Sequence, residues 1–298
     1  MSSLLCVIAT VSASQELFYC PMHPDVTATA PGTCVRCGMK LVAGDPYDLR
    51  EYRLAIEMNP RAPRAGVPVR IAFTVRHPST REIISQFAEV HAKPFHLFVL
   101  SQDLDSYQHV HPEPQRDGRF AINVTLPRPG YYRLFADFLP IGGAPQVIST
   151  TVVTAGFDGD LAGGQAHLRP DTVFTRTVDD VTMSLKLPEE GLVAGREETL
   201  RFSVADTKTG QPATDLEPYL AAFGHTLVMS ADTLKYIHAH PVELLPETNP
   251  EQGRGGPGLT FKAMLPQPGL YRMWTQVQRH GKVVTVPFTV TVGSQPSR

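Results

Sequence analysis

Apolar residues in this chain come in short runs. Val69-Arg70-Ile71-Ala72-Phe73-Thr74-Val75 is the first, and Phe95 to Ser101, Phe120 to Leu126, Tyr132 to Phe138 and Val147 to Val153 follow, broken by Pro and Gly. Thr199 to Val204, His225 to Ser230, Leu259 to Leu265, Tyr271 to Val277 and Val283 to Val292 repeat the pattern. Runs of this length bounded by turn residues read as strands, and no long stretch has helical periodicity. Several short strands in about 110 residues predict a β-sandwich, here twice over.

The two sets of strands are copies. His96, Tyr107, His109, His111 and Pro112 recur as His225, Tyr236, His238, His240 and Pro241, every member displaced by 129 residues. Ala65-Gly66 and Phe73 match Ala194-Gly195 and Phe202 at the same offset. Further on, Leu126-Pro127-x-Pro129-Gly130-x-Tyr132-Arg133 matches Leu265-Pro266-x-Pro268-Gly269-x-Tyr271-Arg272 at an offset of 139. Copy two therefore carries a ten-residue insertion, placed in the Pro/Gly-rich stretch Glu247 to Gly258, as expected of a surface loop. The Gly-x-Tyr of both copies resembles the tyrosine corner of immunoglobulin-like sandwiches. The expected organisation is a mainly β chain: a small metal-knuckle module at 17–44, then two tandem immunoglobulin/cupredoxin-like β-sandwiches at 50–154 and 178–292, joined by a linker at 155–177.

Spacing places the repeated histidines together. If residues 100 and 105 pair across a tight hairpin, 98 meets 107 and 96 meets 109, and paired residues share a sheet face. Residues 107, 109 and 111 share it too, by the period of two. His96, His109 and His111 then converge, as do His225, His238 and His240. Three imidazoles on one face can bind Cu(II) or Zn(II) and leave a coordination position open. His77, His91, His167 and His280 have no counterparts and are expected to face solvent. Trp274, aligned with Phe135, is expected in a sandwich core, and so are Met229 and Met273.

A second set of soft ligands precedes the repeats: Tyr19-Cys20-Pro21-Met22-His23-Pro24, then Cys34-Val35-Arg36-Cys37-Gly38-Met39. Cys-x-x-Cys-Gly is a knuckle that points two thiolates at one ion, with Gly38 free to take a positive φ. Cys20 and His23 can complete a tetrahedral zinc site, or Met22 and Met39 can supply thioethers for Cu(I) or Ag(I). The competing reading is a Cys34–Cys37 disulfide. A segment of some 25 residues has too little core to fold unaided, so a bound metal would also account for its stability. These residues resemble the heavy-metal-binding domain found at the front of bacterial copper/silver efflux adaptors and some copper-transporting ATPases. That resemblance implies bound metal and, as a partner, a metal efflux or transport protein. The repeats resemble His-rich domains of uncharacterised bacterial proteins and imply no activity.

Composition narrows the rest. The 298-residue chain has a formal net charge of −2 and no basic excess, which argues against nucleic acid as a partner. Leu4 to Val11 followed by Val11-Ser12-Ala13 fits a truncated signal peptide over 1–13, which implies a periplasmic or secreted protein; Leu4-Leu5-Cys6 is a poor lipobox. No transmembrane segment is expected in the mature chain. No serine triad, phosphate loop or dinucleotide fingerprint is present, and the repeats contain no Cys for a blue-copper centre. The expectation is a non-enzymatic, extracytoplasmic heavy-metal protein that buffers or transfers copper, with zinc as the alternative ion. The rival is a structural adaptor of an efflux system in which only the N-terminal module binds metal.

Overall fold

The computed structural model describes residues 16–48, 50–159, 167–246 and 249–295. The expected signal peptide and Cys6 lie outside these residues. Among the described residues, no helix is long and apolar enough to cross a membrane.

Each repeat is a pair of sheets closed over its own core. In repeat one, the strands Arg53–Asn59, Pro68–Arg76, Phe120–Thr125 and Glu113–Pro114 form one sheet in that order. The other runs Gln146–Val153, Tyr131–Pro140, Phe95–Ser101, Tyr107–Val110. Repeat two matches it with Thr175–Val178, Val181–Lys186, Glu197–Asp206 and Gly258–Met264 facing Leu192–Val193, Lys282–Gly293, Gly269–Arg279, His225–Ser230 and Tyr236–Ala239. Its first strand starts at Thr175, inside the stretch expected as linker, and Asp171 is already tied to Thr289 by two hydrogen bonds. The tyrosine corners form as expected. Tyr132 donates to Arg128 O at 2.9 Å and Tyr271 to Gln267 O at 2.9 Å.

One feature of the strand sequences decides how the repeats meet. Phe95–Ser101 and His225–Ser230 are buried at every position. A strand without a polar face needs cover on both sides. Phe95, Leu97 and Val99 fill the core of repeat one, while Phe98 and Leu100 point the other way. There they join Leu104, Phe135, Leu227, Met229 and Trp274 in a cluster drawn from both repeats. The sandwiches therefore pack through their histidine-bearing sheets. Trp274 and Phe135 belong to this shared layer rather than to a sandwich core, and Trp274 stacks on Tyr107 at 4.9 Å. Met229 is also in the shared layer, whereas Met273 is in the core of repeat two.

The hairpin register differs from the expected one by two residues. Leu100 pairs with Tyr107 and Phe98 with His109; Met229 pairs with Tyr236 and Leu227 with His238. The cause is the loop. Ser101 N–H bonds Ser106 O, Ser106 N–H bonds the Ser101 hydroxyl, and Leu104 takes a left-handed φ of 58°. Ser230, Lys235 and Thr233 repeat this arrangement. A shift of two keeps the faces, so the histidines still share one side.

The N-terminal module is a three-stranded scrap of sheet, Thr27–Ala28, Phe18–Tyr19 and Val42–Ala43. Its interior is Cys20, Cys34 and Cys37 with Met22, Val26, Met39 and Leu41 packed against them. It is fixed to repeat one by Tyr19 donating to Gly143 O at 2.8 Å and Gly142 N–H donating to Ala43 O. It touches repeat two at Leu244, which stands 2.6 Å from where a Cβ on Gly38 would be.

Candidate metal centres

The first centre is the knuckle. Cys34 N–H bonds Met39 O, Gly38 N–H bonds Cys34 O, and Gly38 has φ 71°, so the chain doubles back and both thiols point inward. Cys20 and His23 come from the turn after Phe18–Tyr19, and the candidate ligand atoms of Cys20, His23, Cys34 and Cys37 lie within 4.8 Å of one another. Cys20 and Cys37 Sγ are 3.6 Å apart, and His23 Nδ1 is 3.7 Å from Cys20 Sγ and 3.6 Å from Cys34 Sγ. Thiolates 2.3 Å from a tetrahedral ion stand about 3.8 Å apart, and a thiolate and an imidazole about 3.6 Å. The set has those dimensions. All three cysteines are free thiols, so the disulfide reading is set aside. The Cys20 thiol is lowered to about 5, chiefly by the hydrogen bond from Cys37, and burial opposes the shift. Cys37 moves the other way and keeps the proton. Neither methionine is needed to close this set.

The second centre lies between the repeats. His91, His96, His109, His111, His225, His238 and His240 form one connected cluster, with neighbouring ring centroids 4.7 to 6.3 Å apart. The expectation was two separate triads; the packing of the repeats merges them. The second does not close on itself, because His240 turns to Met39 and meets the cluster through His91 while His225 and His238 stay together. His96, His109 and His111 present ligand atoms within 4.8 Å of one another.

The supports of these rings fix which nitrogens are free. His96 Nε2 donates to Val90 O at 2.8 Å, and His225 Nε2 lies 3.0 Å from Tyr219 O, the same position in copy two. His109 Nδ1 donates to the Gln276 side chain of the other repeat at 2.8 Å, which Tyr107 also reaches. In mirror fashion, His238 Nδ1 lies 3.4 Å from the Asp137 carboxylate, which accepts from Tyr236 at 2.7 Å. Each repeat thus orients an imidazole of the other. A ligating histidine usually has its second nitrogen held in this way by a carbonyl or carboxylate.

The inward nitrogens are left without donors. His96 Nδ1 and His109 Nε2 face each other at 3.1 Å. Their outer nitrogens carry the protons, so lone pair meets lone pair. The counterparts His225 Nδ1 and His238 Nε2 are buried with no partner among the described residues, and so is His111 Nε2. Such orphaned groups cost about 1–3 kcal/mol each. A cation relieves them. Two imidazole nitrogens on a tetrahedral ion stand about 3.3 Å apart, close to the separation seen.

Protonation is the other way to satisfy these nitrogens, and the site resists it. His109 and His111 are lowered to about 3, by burial first and then by neighbouring His96. Burial also takes His91, His225 and His238 well below the ordinary imidazole range and lowers His96 and His240. Burial raises the Asp137 carboxyl, against the pull of His96 and the Tyr236 hydrogen bond. The rings are therefore neutral near pH 7, the form in which imidazole binds metals.

Three residues of the site escaped the sequence reading. His91, expected at the surface, is 7% exposed and sits 4.7 Å from His238 and 4.9 Å from His240. It rides on a left-handed turn, φ 52° with Ala92 at 59°, that recurs at Leu220 and Ala221. Asp137 and Gln276 are the others; they match each other at the offset of 139, which was the available signal. Of the remaining unmatched histidines, His167 and His280 are exposed and His77 is half-buried. Met22 packs inside the module, and Met39 reaches out of it, its Sδ 3.1 Å from His240 Nε2.

Comparison with known proteins gives two family matches. The profile described as "Heavy metal binding domain" matches residues 17–43. The profile described as "Domain of unknown function (DUF8832)" matches residues 49–156 and again 176–294. No curated protein matches the chain. Among solved structures, the Escherichia coli adhesin FdeC is 13% identical with a TM-score of 0.26, over 86% of this chain and 68% of that one. Salmonella alpha-2-macroglobulin (mutant Y1175G) is 12% identical with a TM-score of 0.26, over 89% of this chain but only 16% of that one. A putative membrane anchored protein from Corynebacterium diphtheriae is 11% identical with a TM-score of 0.23, over 80% and 57%. Likenesses this faint say nothing about activity.

Proposed function

The chain belongs to the family defined by DUF8832, a domain without an assigned role, and from the geometry of its two centres we propose that it is a heavy-metal carrier. The thiolate module takes a soft ion, and the imidazole cluster between the repeats takes a borderline one. Copper suits both halves, because Cu(I) prefers sulfur and Cu(II) prefers nitrogen; zinc is the alternative. The observation that carries this reading is the set of inward imidazole nitrogens, oriented from behind and left without donors. A histidine core held by hydrogen bonds alone would have paired them.

Holding and handing on the ion is proposed as the role, with no catalysis. Burial of His96, His109, His225 and His238 leaves little space beside an ion for a substrate. The proposed compartment is extracytoplasmic, where copper is met as Cu(II), the state that suits an imidazole cluster, as well as Cu(I). A metal efflux or transport protein would be the recipient.

Equilibrium titration of the full chain with Cu(I), Cu(II) and Zn(II) against chromophoric chelators tests this. Tight binding in both compartments is expected, and Asp137→Asn should weaken the His225/His238 set by about 10- to 100-fold, as lost outer supports do. Binding confined to the thiolates would move the repeats into an adaptor role. Binding in neither would end the proposal.

A further inference from the structure

We propose that Met39 and His240 form a third site, for a soft monovalent cation such as Cu(I) or Ag(I), that joins the thiolate module to the imidazole cluster. The proposal rests on the carrier reading above.

His240 and His111 occupy the same place in the two repeats but do different things. His111 stays with His96 and His109. His240 instead turns its Nε2 to the Met39 thioether at 3.1 Å, with Nδ1 3.2 Å from Pro241 O. A neutral imidazole has one N–H, and both of these neighbours are acceptors only. Whichever nitrogen carries the proton, the other points a lone pair at an acceptor. With the proton on Nδ1, directed at Pro241 O, the Nε2 and Sδ lone pairs face each other. A thioether and an imidazole together suit a soft ion, which would part the two atoms as it enters between them.

His91 makes this division of labour feasible. It replaces the leucine found at position 220 and brings an imidazole from repeat one beside His225 and His238, at 5.2 and 4.7 Å. The second set thereby keeps three rings although His240 faces the module. The contact is also held by packing: Tyr19 is bonded to Gly143 O on one side, and Leu244 is pressed against Gly38 on the other.

The passage is a ligand exchange. A Cu–Sγ bond to a cysteine of the module breaks as bonds to Met39 Sδ and His240 Nε2 form. Copper remains Cu(I), no electron moves, and the released thiolate takes a proton from water. The next imidazole is His91, at the edge of the buried cluster, its ring 4.9 Å from that of His240.

The test is a titration of the full chain, labelled with methionine methyl carbon-13 and histidine nitrogen-15, with Ag(I), which mimics Cu(I) without redox chemistry. The Met39 methyl and His240 Nε2 resonances should shift together, in one step, saturating with a single ion. In Met39→Leu the His240 shift should need at least tenfold more Ag(I), while the ion content and the signals of His96, His109 and His111 report whether the other centres still fill. If Met39 and His240 keep their metal-free positions while cysteines and the other histidines bind, the bridge is refuted and the carrier reading stands. If no centre binds Ag(I), both fall.

Discussion

Taking the metal-free protein from pH 7 to pH 5.5 is expected to lower its stability by several kcal/mol and to part the two repeats. The sign follows from the direction of the shifts. The cluster histidines are neutral when folded, with His109 and His111 lowered to about 3, whereas in the unfolded chain they titrate near 6.5. Between those values the unfolded state binds more protons, so stability is fully present above about pH 6.5 and is lost as pH falls toward 3. Each such histidine contributes up to about 1.4 kcal/mol per pH unit inside the window. His109 and His111 together give at most roughly 2.7 kcal/mol per unit by the same conversion, and the other five rings, lowered as well, act in the same direction. Asp137, raised by burial, runs the opposite way. A domain holds only about 5–15 kcal/mol in total. The single tryptophan, stacked on Tyr107 within the shared layer, is a built-in probe. Denaturant melts followed by Trp274 fluorescence at pH 7.5, 6.5 and 5.5 should show midpoints falling steeply below 6.5. Midpoints independent of pH would contradict a buried, neutral cluster.

The second large effect is expected in the module. Its interior is three cysteines and a few half-buried side chains, too little to hold a fold. Structural zinc in comparably small modules supplies about 10–16 kcal/mol of apparent binding energy at pH 7. Stripping metal with a chelator, or replacing Cys34 by Ser, should therefore unfold residues 17–43 and leave the repeats intact. Hydrogen exchange reads this directly. The amides of Cys20, Cys34 and Gly38, bonded to Val26, Met39 and Cys34, should lose protection. The strand Phe95–Ser101 should keep it. Unchanged protection in verified metal-free protein would mean that the contacts through Tyr19 and Gly142 suffice to fold the module.

The strand runs, the tyrosine corners and the shared face of the repeated histidines were legible in the sequence because each depends on local periodicity. The hairpin register was two residues off because the left-handed turn at Leu104 and Thr233 leaves no strong mark in non-glycine residues. The joining of the triads was illegible for a different reason. It depends on which faces of two separate sandwiches meet, a long-range matter. The hint was the unbroken burial-prone run Phe95–Ser101, which has no polar face to show to water. His91 was misplaced because its ring reaches the cluster from a turn rather than from a strand. Asp137 and Gln276 act across the repeat boundary, so neither stands near its imidazole in the chain.

One measurement reaches the heart of the matter: the metal content of the full chain carrying Cys20→Ser, Cys34→Ser and Cys37→Ser, loaded with copper or zinc and washed by gel filtration. With the thiolates gone, at least one tightly held ion per chain is expected to remain, and adding His109→Ala and His238→Ala should remove it. A triple-serine protein whose two repeats stay folded but which retains no ion would contradict a metal centre between the repeats.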